Sequence, residues 1–428
     1  MIERKKISAC GKTRQFLEVP DCVTNVDSFG KETTASTCKR SFYLYVPTFF
    51  CKVKDEHSTY DTEVDEGLTR KLEIDSNTSI PFKVNGDLVP LVFSMHCYQC
   101  TYKQMEHWTS IADDYKFVLV LPEGIQNSWN ARYCCGYALE NGIDDYSFLS
   151  GIIDMLTDKN TYKEETRVNN EGVNDYIDSS LLKLSRDNVY GVGWSNGGYM
   201  VTYAADLFQA VAPISGHQYE LTDFPKTPTS IFMHHGSRDT FVRPNGCCIH
   251  STTLKCCCGI SNTIDQCSSI SDVFEEWAKY VNQCQTDENG KVLISKEKDE
   301  IKGIECYAAT GSCLAETKYC MHANESHFNY PSFKEAFPMS KNIADFFASD
   351  ACLNNNGIWN STEKKCNCND EIHMGGLYCA TPLNHKFTDT SFTSEQGEAA
   401  LVEIGSAWIS AVGILVLFVL FKFFRTKI

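Results

Sequence analysis

The stretch Asn188-Val-Tyr-Gly-Val-Gly-Trp-Ser-Asn-Gly-Gly198 joins a run of strand-forming residues to a segment, residues 198–207, that suits a helix. Within it, Gly193-Trp194-Ser195-Asn196-Gly197 matches the Gly-x-Ser-x-Gly pattern of a sharp strand-to-helix turn. Small residues flank the serine because the backbone is crowded there, and the turn presents the hydroxyl beside a helix N-terminus. The pattern therefore predicts an activated serine. The alternative is a glycine-rich turn with a solvated serine.

Other apolar runs along the chain predict further strands and helices. They predict buried strands at residues 90–95, 117–121, 210–214, 230–233 and 316–321, and an alternating strand at 41–46. Helical patterns occupy residues 102–114, 144–156 and 272–284. Because strands and helices alternate, we expect an α/β fold with a mostly parallel sheet.

An activated serine of this kind needs an acid and a histidine later in the chain. Asp239 follows the predicted strand at 230–233, at the end of a sheet where α/β proteins collect their ligands, whereas the rival Asp223 precedes that strand. His322 and His327 both follow the last predicted strand. We favour His327, which lies in a loop, over His322 at the strand end. The neighbouring His234 and His235 are expected to support the Asp239 loop.

Charge developing on a substrate oxygen would need two N–H donors. One is the backbone N–H of Asn196, the residue after the serine, and the other is expected from the His96-Cys97 loop after the first buried strand.

These residues belong to a wider set of motifs: Pro90-Leu-Val…His96, Trp129-Asn130…Cys134-Cys135, Asp144-Asp145…Phe148-Leu149, Ser195-Asn-Gly-Gly198, Phe208-Gln-Ala-Val-Ala-Pro-Ile-Ser-Gly216, His235-Gly-Ser-Arg-Asp239 and Trp277-Ala278…Asn282. Over residues 40–348 the chain resembles the feruloyl esterase and poly(3-hydroxybutyrate) depolymerase family of α/β-hydrolases. The resemblance implies a Ser–Asp–His esterase without cofactor or metal, and the family's triad matches Ser195, Asp239 and His327. The chain departs from the family pattern where Cys97 replaces a glycine and where Phe328-Asn-Tyr-Pro331 replaces a Trp-Pro pair.

Composition narrows the possible partners. The 428 residues carry 55 acids against 39 bases, a formal net charge of −16, so nucleic acid is not an expected partner and polyanionic substrates are disfavoured. The 22 cysteines predict disulfides in an oxidising compartment. A zinc or copper site is the alternative, although Cys97-Tyr-Gln-Cys100 is the sole Cys-x-x-Cys motif in the sequence.

The sequence divides into several predicted segments. Residues 1–39 form a cysteine-containing N-terminal segment, and residues 40–349 form the hydrolase domain, with insertions at 55–79 and 246–267. Residues 350–380 resemble the C-terminal half of an EGF-like module, which would offer a surface for protein contacts; an irregular cysteine-rich stalk is the alternative. A stalk at 381–403, a transmembrane helix at 404–421 and a tail at 422–428 follow.

The uncharged run at 404–421 approaches the length that a helix needs to cross a bilayer. Lys422, Arg425 and Lys427 follow it, which predicts a cytoplasmic tail and an external catalytic domain. A buried core helix and a removed glycolipid-anchor tail are the alternatives. The N-terminus lacks the apolar segment of a signal peptide, so either the natural start lies upstream or the protein is tail-anchored with its bulk in the cytosol. The cysteines and the basic tail favour the first. Asn77, Asn324 and Asn360 are acceptors for N-glycosylation.

We therefore expect a membrane-anchored serine ester hydrolase acting on aryl, polysaccharide-linked or hydroxyalkanoate esters. The alternatives are a catalytically silent adhesion or receptor protein with an EGF-like module, and a serine peptidase that shares the triad chemistry.

Overall fold

A computed structural model describes residues 10–26, 32–53, 87–132, 134–157, 167–168, 174–177, 182–217, 224–246, 268–297, 303–327, 339–355 and 357–369, and the pairs 374–375, 378–379 and 381–382. The chain divides into two compact units, Met1–Leu383 and Asn384–Ile428, and every described residue belongs to the first. Asp223, Asn77, the insertion at 55–79, nearly all of the insertion at 246–267 and nearly all of the region after residue 380 lie outside these ranges. Within them, no helix is long and apolar enough to span a bilayer; the predicted helix at 404–421 lies outside them.

A ten-stranded mixed sheet is the centre of the described structure. Its strands in chain order are β1 Gly11–Val26, β2 Glu32–Val46, β3 Leu91–Met95, β4 Val118–Pro122, β5 Val189–Trp194, β6 Ala210–Ile214, β7 Ser230–Gly236, β8 Ile294–Lys296, β9 Ile304–Ala309 and β10 Thr317–His322. Their order across the sheet is β1-β2-β4-β3-β5-β6-β7-β10-β9-β8. The six strands from β4 to β10 in this order are parallel, and the two strands at each edge pair antiparallel.

Helices connect these strands and cover the sheet. They are α1 Trp108–Tyr115, α2 Gly136–Glu140, α3 Asp145–Thr157, α4 Asn196–Tyr203, α5 Ile270–Glu276 and α6 Met339–Asn354. The prediction of an α/β fold with a mostly parallel sheet is confirmed, and the arrangement is consistent with an α/β-hydrolase. The chain order reverses between β3 and β5, so their carboxyl ends border the crevice where such sheets bind ligands.

The central strands are buried on both faces, as their uninterrupted apolar sequences predict. In β3, Val92 packs into one core cluster while its neighbours Leu91 and Phe93 pack into the other. Side chains alternate across a strand, so a run without polar residues fills two cores at once. One core contains Trp129 and Phe148, and the opposite core contains Trp108 and Phe347.

Several elements differ from their predicted bounds. β7 continues three residues beyond the predicted end, through His234 and His235 to Gly236. The predicted helix at 272–284 begins at Ile270 and passes at Trp277 into a π-helical turn that ends at Val281. β1 and α6 were not predicted. β1 pairs with β2 and brings part of the N-terminal segment into the sheet. Because β2 spans Glu32–Val46, the predicted boundary between residues 39 and 40 falls within a strand.

Fourteen cysteines of the described residues form seven disulfides, as predicted for this cysteine-rich sequence. The bridges are Cys10–Cys51, Cys97–Cys100, Cys134–Cys135, Cys284–Cys313, Cys306–Cys320, Cys352–Cys366 and Cys368–Cys379.

The cysteine-rich segment near residue 360 packs against the core beside the sheet. Cys352 lies in α6, so the predicted boundary between residues 349 and 350 falls within a helix. A hairpin of Gly357–Asn360 and Lys365–Cys368 follows, in which Trp359 donates to Asp345 Oδ1 at 2.9 Å. Tyr378 is buried and donates its hydroxyl to the carbonyl of Tyr115 at 2.6 Å.

Candidate active site

Ser195 lies at the turn between β5 and α4, as the Gly-x-Ser-x-Gly pattern predicts. Its φ of 55° and ψ of −117° are strained for a residue with a side chain. The surrounding backbone allows only glycine: a Cβ on Gly193 would lie 2.1 Å from the carbonyl oxygen of Gly197. The backbone N–H of Ser195 donates to Ile214 O at 2.8 Å, which fixes the turn to the next strand.

Asp239 and His327 come together beside this turn. They follow the neighbouring parallel strands β7 and β10, in which Gly236 pairs with His322. His327 Nδ1 lies 2.8 Å from Asp239 Oδ2. Because an ionised carboxylate only accepts hydrogen bonds, Nδ1 carries the proton and Nε2 is left as the basic nitrogen. The ring of Trp194, directly before Ser195, has its centroid 6.0 Å from that of His327.

Backbone contacts join the two loops that carry this pair. The N–H of Ser237 donates to His322 O at 2.9 Å, and the N–H of Arg238 donates to Glu325 O at 2.8 Å. The N–H of Asn324 donates to Ser237 Oγ at 3.0 Å. The separation of Asp239 and His327 is therefore set by neighbouring strand ends and not by the two side chains alone.

Asp239 is held ionised by its surroundings. Burial by itself would raise the pKa of this carboxyl, but hydrogen bonds from His235 and His327 outweigh burial and hold its pKa well below the ordinary value. The other carboxylate oxygen, Oδ1, accepts the N–H groups of Phe241 at 2.9 Å and Val242 at 2.8 Å.

His235 supports the Asp239 loop, in the position predicted for it. Its Nε2 lies 2.7 Å from Val242 O, so this nitrogen carries a proton, and it also lies 3.3 Å from Asp239 Oδ2. We refer to Asp239, His235, His327 and Phe241 as the Asp239 side of the site.

His234 was also expected to support the Asp239 loop, but it instead forms a separate buried pair with His322, with His234 Nδ1 3.1 Å from His322 Nε2. Burial lowers the pKa of His322 to about 4 and that of His234 well below its ordinary value, so both rings are neutral near pH 7. Of the two histidines considered for the base, His327 makes the 2.8 Å contact with Asp239, and His322 contacts His234.

On the opposite flank of Ser195, the His96-Cys97 loop lies against the start of α4. A Cβ on Gly197 would lie 2.3 Å from Met95 O and 2.7 Å from His96 O. Cys97 forms a disulfide with Cys100, and within this loop Gln99 has the left-handed φ, 59°. Cys97 itself is not among the residues with a positive φ, so a non-glycine residue is accommodated at this position.

His96 orients the peptide that follows it. Its Nε2 accepts the N–H of Gly124 at 3.0 Å, so its Nδ1 carries the proton and donates to Cys97 O at 2.8 Å. Burial lowers the pKa of His96 to about 4, which keeps the ring neutral.

The side chain of Asn196 is a feature that sequence reasoning missed. It is fully buried; its Oδ1 accepts the N–H of Trp129 at 2.7 Å, and its Nδ2 donates to Trp129 O and Cys134 O, both at 3.0 Å. The indole N–H of Trp129 donates in turn to His96 O at 2.9 Å. We refer to His96, Cys97, Trp129 and Asn196 as the Asn196 side of the site.

A buried ion pair supports the loop that follows Trp129. Arg40 Nη2 lies 2.6 Å from Asp145 Oδ1, and Asp145 Oδ2 accepts the N–H of Asn130 at 2.6 Å. Burial lowers the pKa of Arg40 and raises that of Asp145, while the charge of each partner opposes the shift of the other. The sequence signal was the Asp144-Asp145 motif, but nothing local in the sequence identified Arg40 as the partner.

Three buried cysteine sulfurs lie within 4.8 Å of one another, a spacing that could hold a metal ion: those of Cys352, Cys366 and Cys379. Cys352 and Cys366 are bonded to each other, and Cys379 is bonded to Cys368. Metal binding requires thiolates, and these sulfurs are committed to disulfides.

Comparisons with known proteins give distant structural similarity. No family model matches the chain, and no curated protein matches it. Among solved structures, an acetyl xylan esterase from Aspergillus awamori is 12% identical, over 78% of this chain and 98% of that one, with a TM-score of 0.38. A thermostable esterase is 16% identical, over 52% of this chain and 56% of that one, with a TM-score of 0.28.

Proposed function

We propose that the protein is a serine carboxylic ester hydrolase in which Ser195 is the nucleophile, His327 the general base and Asp239 the carboxylate that orients His327. The 2.8 Å contact between His327 and Asp239, beside a serine on a strained strand-to-helix turn, carries the proposal. Each of these residues follows the carboxyl end of a parallel strand, where α/β sheets bind their ligands.

The reaction follows from the protonation states of these groups. His327 Nε2 takes the Ser195 proton while Oγ bonds to the ester carbonyl carbon, and Asp239 stabilises the imidazolium that forms. The bond to the alcohol oxygen then breaks, and His327 returns the proton to that oxygen. Water next gives a proton to His327 while its oxygen bonds to the acyl carbon. The bond between that carbon and Ser195 Oγ then breaks, His327 returns the proton to Oγ, and the carboxylic acid leaves.

The N–H groups of Asn196 and Cys97 are proposed to bind the negatively charged oxygen of the intermediate. The first N–H groups of a helix have no acceptor within that helix, and Asn196 begins α4. His96 holds the Cys97 carbonyl, which limits rotation of that segment. Donors fixed before the reaction are worth about 10²–10³ in rate each.

The substrate class rests on the resemblance described from the sequence, which favours aryl, polysaccharide-linked or hydroxyalkanoate esters. The net charge of −16 favours neutral over polyanionic substrates. No cofactor is part of this chemistry.

We also propose external placement, with the helix at 404–421 as the membrane anchor and residues 350–380 as an EGF-like module. The disulfides of the described residues support an oxidising compartment. Of the glycosylation acceptors, Asn324 is exposed and would carry a glycan near the His327 loop.

A fluorophosphonate probe, which reacts with activated serines, tests the proposal. We expect labelling of the full chain and of the control Ser110→Ala, whose serine is exposed on α1, and no labelling of Ser195→Ala. A panel of esters and peptide amides then separates an esterase from a peptidase. A folded protein without Ser195-dependent labelling or ester hydrolysis would contradict the proposal and favour the silent adhesion protein.

A further inference from the structure

Phe241 is an exposed aromatic residue next to the proposed base. Its side chain is 62% exposed, although phenylalanine is among the residue types most often buried. Its ring centroid lies 5.2 Å from that of His327, with an angle of 45° between the rings. The phenyl ring therefore borders the imidazole and remains open to solvent.

The backbone under this ring is fixed. The N–H of Phe241 donates to Asp239 Oδ1, and the next residue, Val242, donates to the same oxygen while its own side chain is buried. The carbonyl of Val242 accepts from His235. The carboxylate that orients His327 thus also fixes the backbone from which the Phe241 ring extends beside the imidazole.

The place of Phe241 beside His327 indicates which part of an ester would contact it. In the proposed mechanism, His327 gives its proton to the alcohol oxygen, so that oxygen must come within hydrogen-bond reach of the imidazole. The acyl carbonyl lies instead toward the N–H groups of Asn196 and Cys97. A group attached to the alcohol oxygen therefore extends past His327 toward Phe241.

We propose that Phe241 is a specificity-determining residue that binds the alcohol portion of the ester and favours apolar or aromatic alcohols. This inference rests on the proposed function and adds a substrate preference to it. Contact with the phenyl ring removes apolar surface of the alcohol from water, and an aromatic alcohol gains ring-to-ring contact as well.

The proposal separates the two halves of the reaction. The alcohol leaves when the acyl-enzyme forms, so Phe241 acts before that step. Removal of its ring should slow formation of the acyl-enzyme from esters of apolar alcohols. The rate at which water hydrolyses a given acyl-enzyme should not depend on which alcohol has left.

The test compares Phe241→Ala with wild type on acetate esters of benzyl alcohol and ethanol, and on ethyl esters of acetic and hexanoic acid. We expect the ratio of kcat/KM for benzyl acetate to that for ethyl acetate to fall about tenfold in the variant, as expected for loss of one apolar contact in a binding site. The ratio between the two ethyl esters should stay the same. Phe241→Leu, which keeps apolar surface without the ring, should fall in between.

Phe49→Ala is the matched control. Phe49 is 49% exposed and follows β2, which ends near the start of β4, at the sheet edge opposite Ser195. We expect all four substrates to react as with wild type. Circular dichroism confirms folding of each variant.

Two results for Phe241→Ala would overturn the inference: an equal loss of kcat/KM on benzyl acetate and ethyl acetate, or a changed ratio of kcat/KM between the two ethyl esters. The proposed function would still stand if wild type hydrolysed esters in a Ser195-dependent way. Absence of ester hydrolysis by folded wild-type protein would overturn both.

Discussion

The Asn196 side and the Asp239 side of the site are held in different ways. On the Asn196 side, buried side chains bind backbone groups: Asn196 binds Trp129 and Cys134, and His96 binds Cys97. On the Asp239 side, side chains bind one another as well as the backbone: His327 and His235 both contact Asp239, and His327 is 14% exposed. The first arrangement suits N–H donors that must stay fixed, and the second suits a base that must exchange protons with substrate and water. Loss of a group should therefore affect stability on the first side and activity on the second.

The largest expected effect is loss of activity on the Asp239 side. His327→Ala should lower kcat by about 10³–10⁴-fold or more with little change in the urea midpoint, because the ring is partly exposed and is the proposed general base. Steady-state kinetics and urea denaturation measure the two quantities. His322→Ala is the comparison: an inactive His322→Ala beside an active His327→Ala would show that the base is assigned wrongly.

The next effect concerns stability behind the Asn196 side. Asp145→Ala would leave Arg40 buried without its partner and Asn130 N–H without its acceptor, so it should lower the free energy of unfolding by about 3–5 kcal/mol. Asp154→Ala is the matched control, because its ion pair with Arg186 is exposed and should contribute at most about 1 kcal/mol. Urea denaturation with disulfides intact measures the free energy of unfolding of both variants. Similar losses in Asp145→Ala and Asp154→Ala would contradict the expectation that buried groups behind the Asn196 side determine stability.

Acid should lower the free energy of unfolding through two buried histidines, His96 on the Asn196 side and His322 in the pair with His234. The folded-state pKa values of His96 and His322 are about 4, below the ordinary 6.5, so the unfolded chain binds protons that the folded chain does not. Stability therefore falls as pH drops from 7 to 5, by about 2 kcal/mol for each of these histidines. Asp239 adds nothing in this window, because its stabilising contribution is lost only below about pH 4.

Thermal or urea unfolding at a series of pH values measures this dependence. In His96→Gln the fall in the free energy of unfolding between pH 7 and 5 should be smaller than in wild type by the contribution of one histidine. This holds whatever the stability of the variant at pH 7. An unchanged slope would mean that His96 titrates alike in the folded and unfolded chain.

The smallest effect is expected from a single hydrogen bond. Trp129→Phe removes the indole donor to His96 O and keeps a large aromatic ring in the core, so it should cost about 1 kcal/mol. Urea denaturation measures the loss. A loss several times larger would indicate that ring size, and not the hydrogen bond, dominates at this position.

Sequence patterns predicted those parts of the molecule in which local residues determine the outcome. The turn at Ser195 needs glycine at neighbouring positions, and most of the parallel strands consist mainly of apolar residues, so both were recognisable. The order of Ser195, Asp239 and His327 in the chain, and their positions after predicted strands, also placed Asp239 and His327 correctly at the carboxyl ends of the parallel strands. Their catalytic roles remain predictions.

Contacts between distant residues were not predictable in the same way. Asn196 and Trp129 are 67 residues apart, and Arg40 and Asp145 are 105 residues apart, so nothing local links either pair. α6 was missed because its last residues include Cys352, which the cysteine spacing assigned to a separate module. β1 was missed because an edge strand lacks the apolar run of a central one.

The bridge between Cys134 and Cys135 differs in kind from the bridge between Cys10 and Cys51. A crosslink that spans 41 residues restricts a large part of the unfolded chain, which corresponds to about 4 kcal/mol in a loop-entropy model. Adjacent cysteines are already joined by a peptide bond, so their crosslink removes almost no freedom from the rest of the unfolded polymer. Its effect is confined to the shape of one small ring, whose Cys134 carbonyl is an acceptor for Asn196. Cys10–Cys51 therefore opposes unfolding of the chain, whereas Cys134–Cys135 fixes the local contour of the wall beside Ser195.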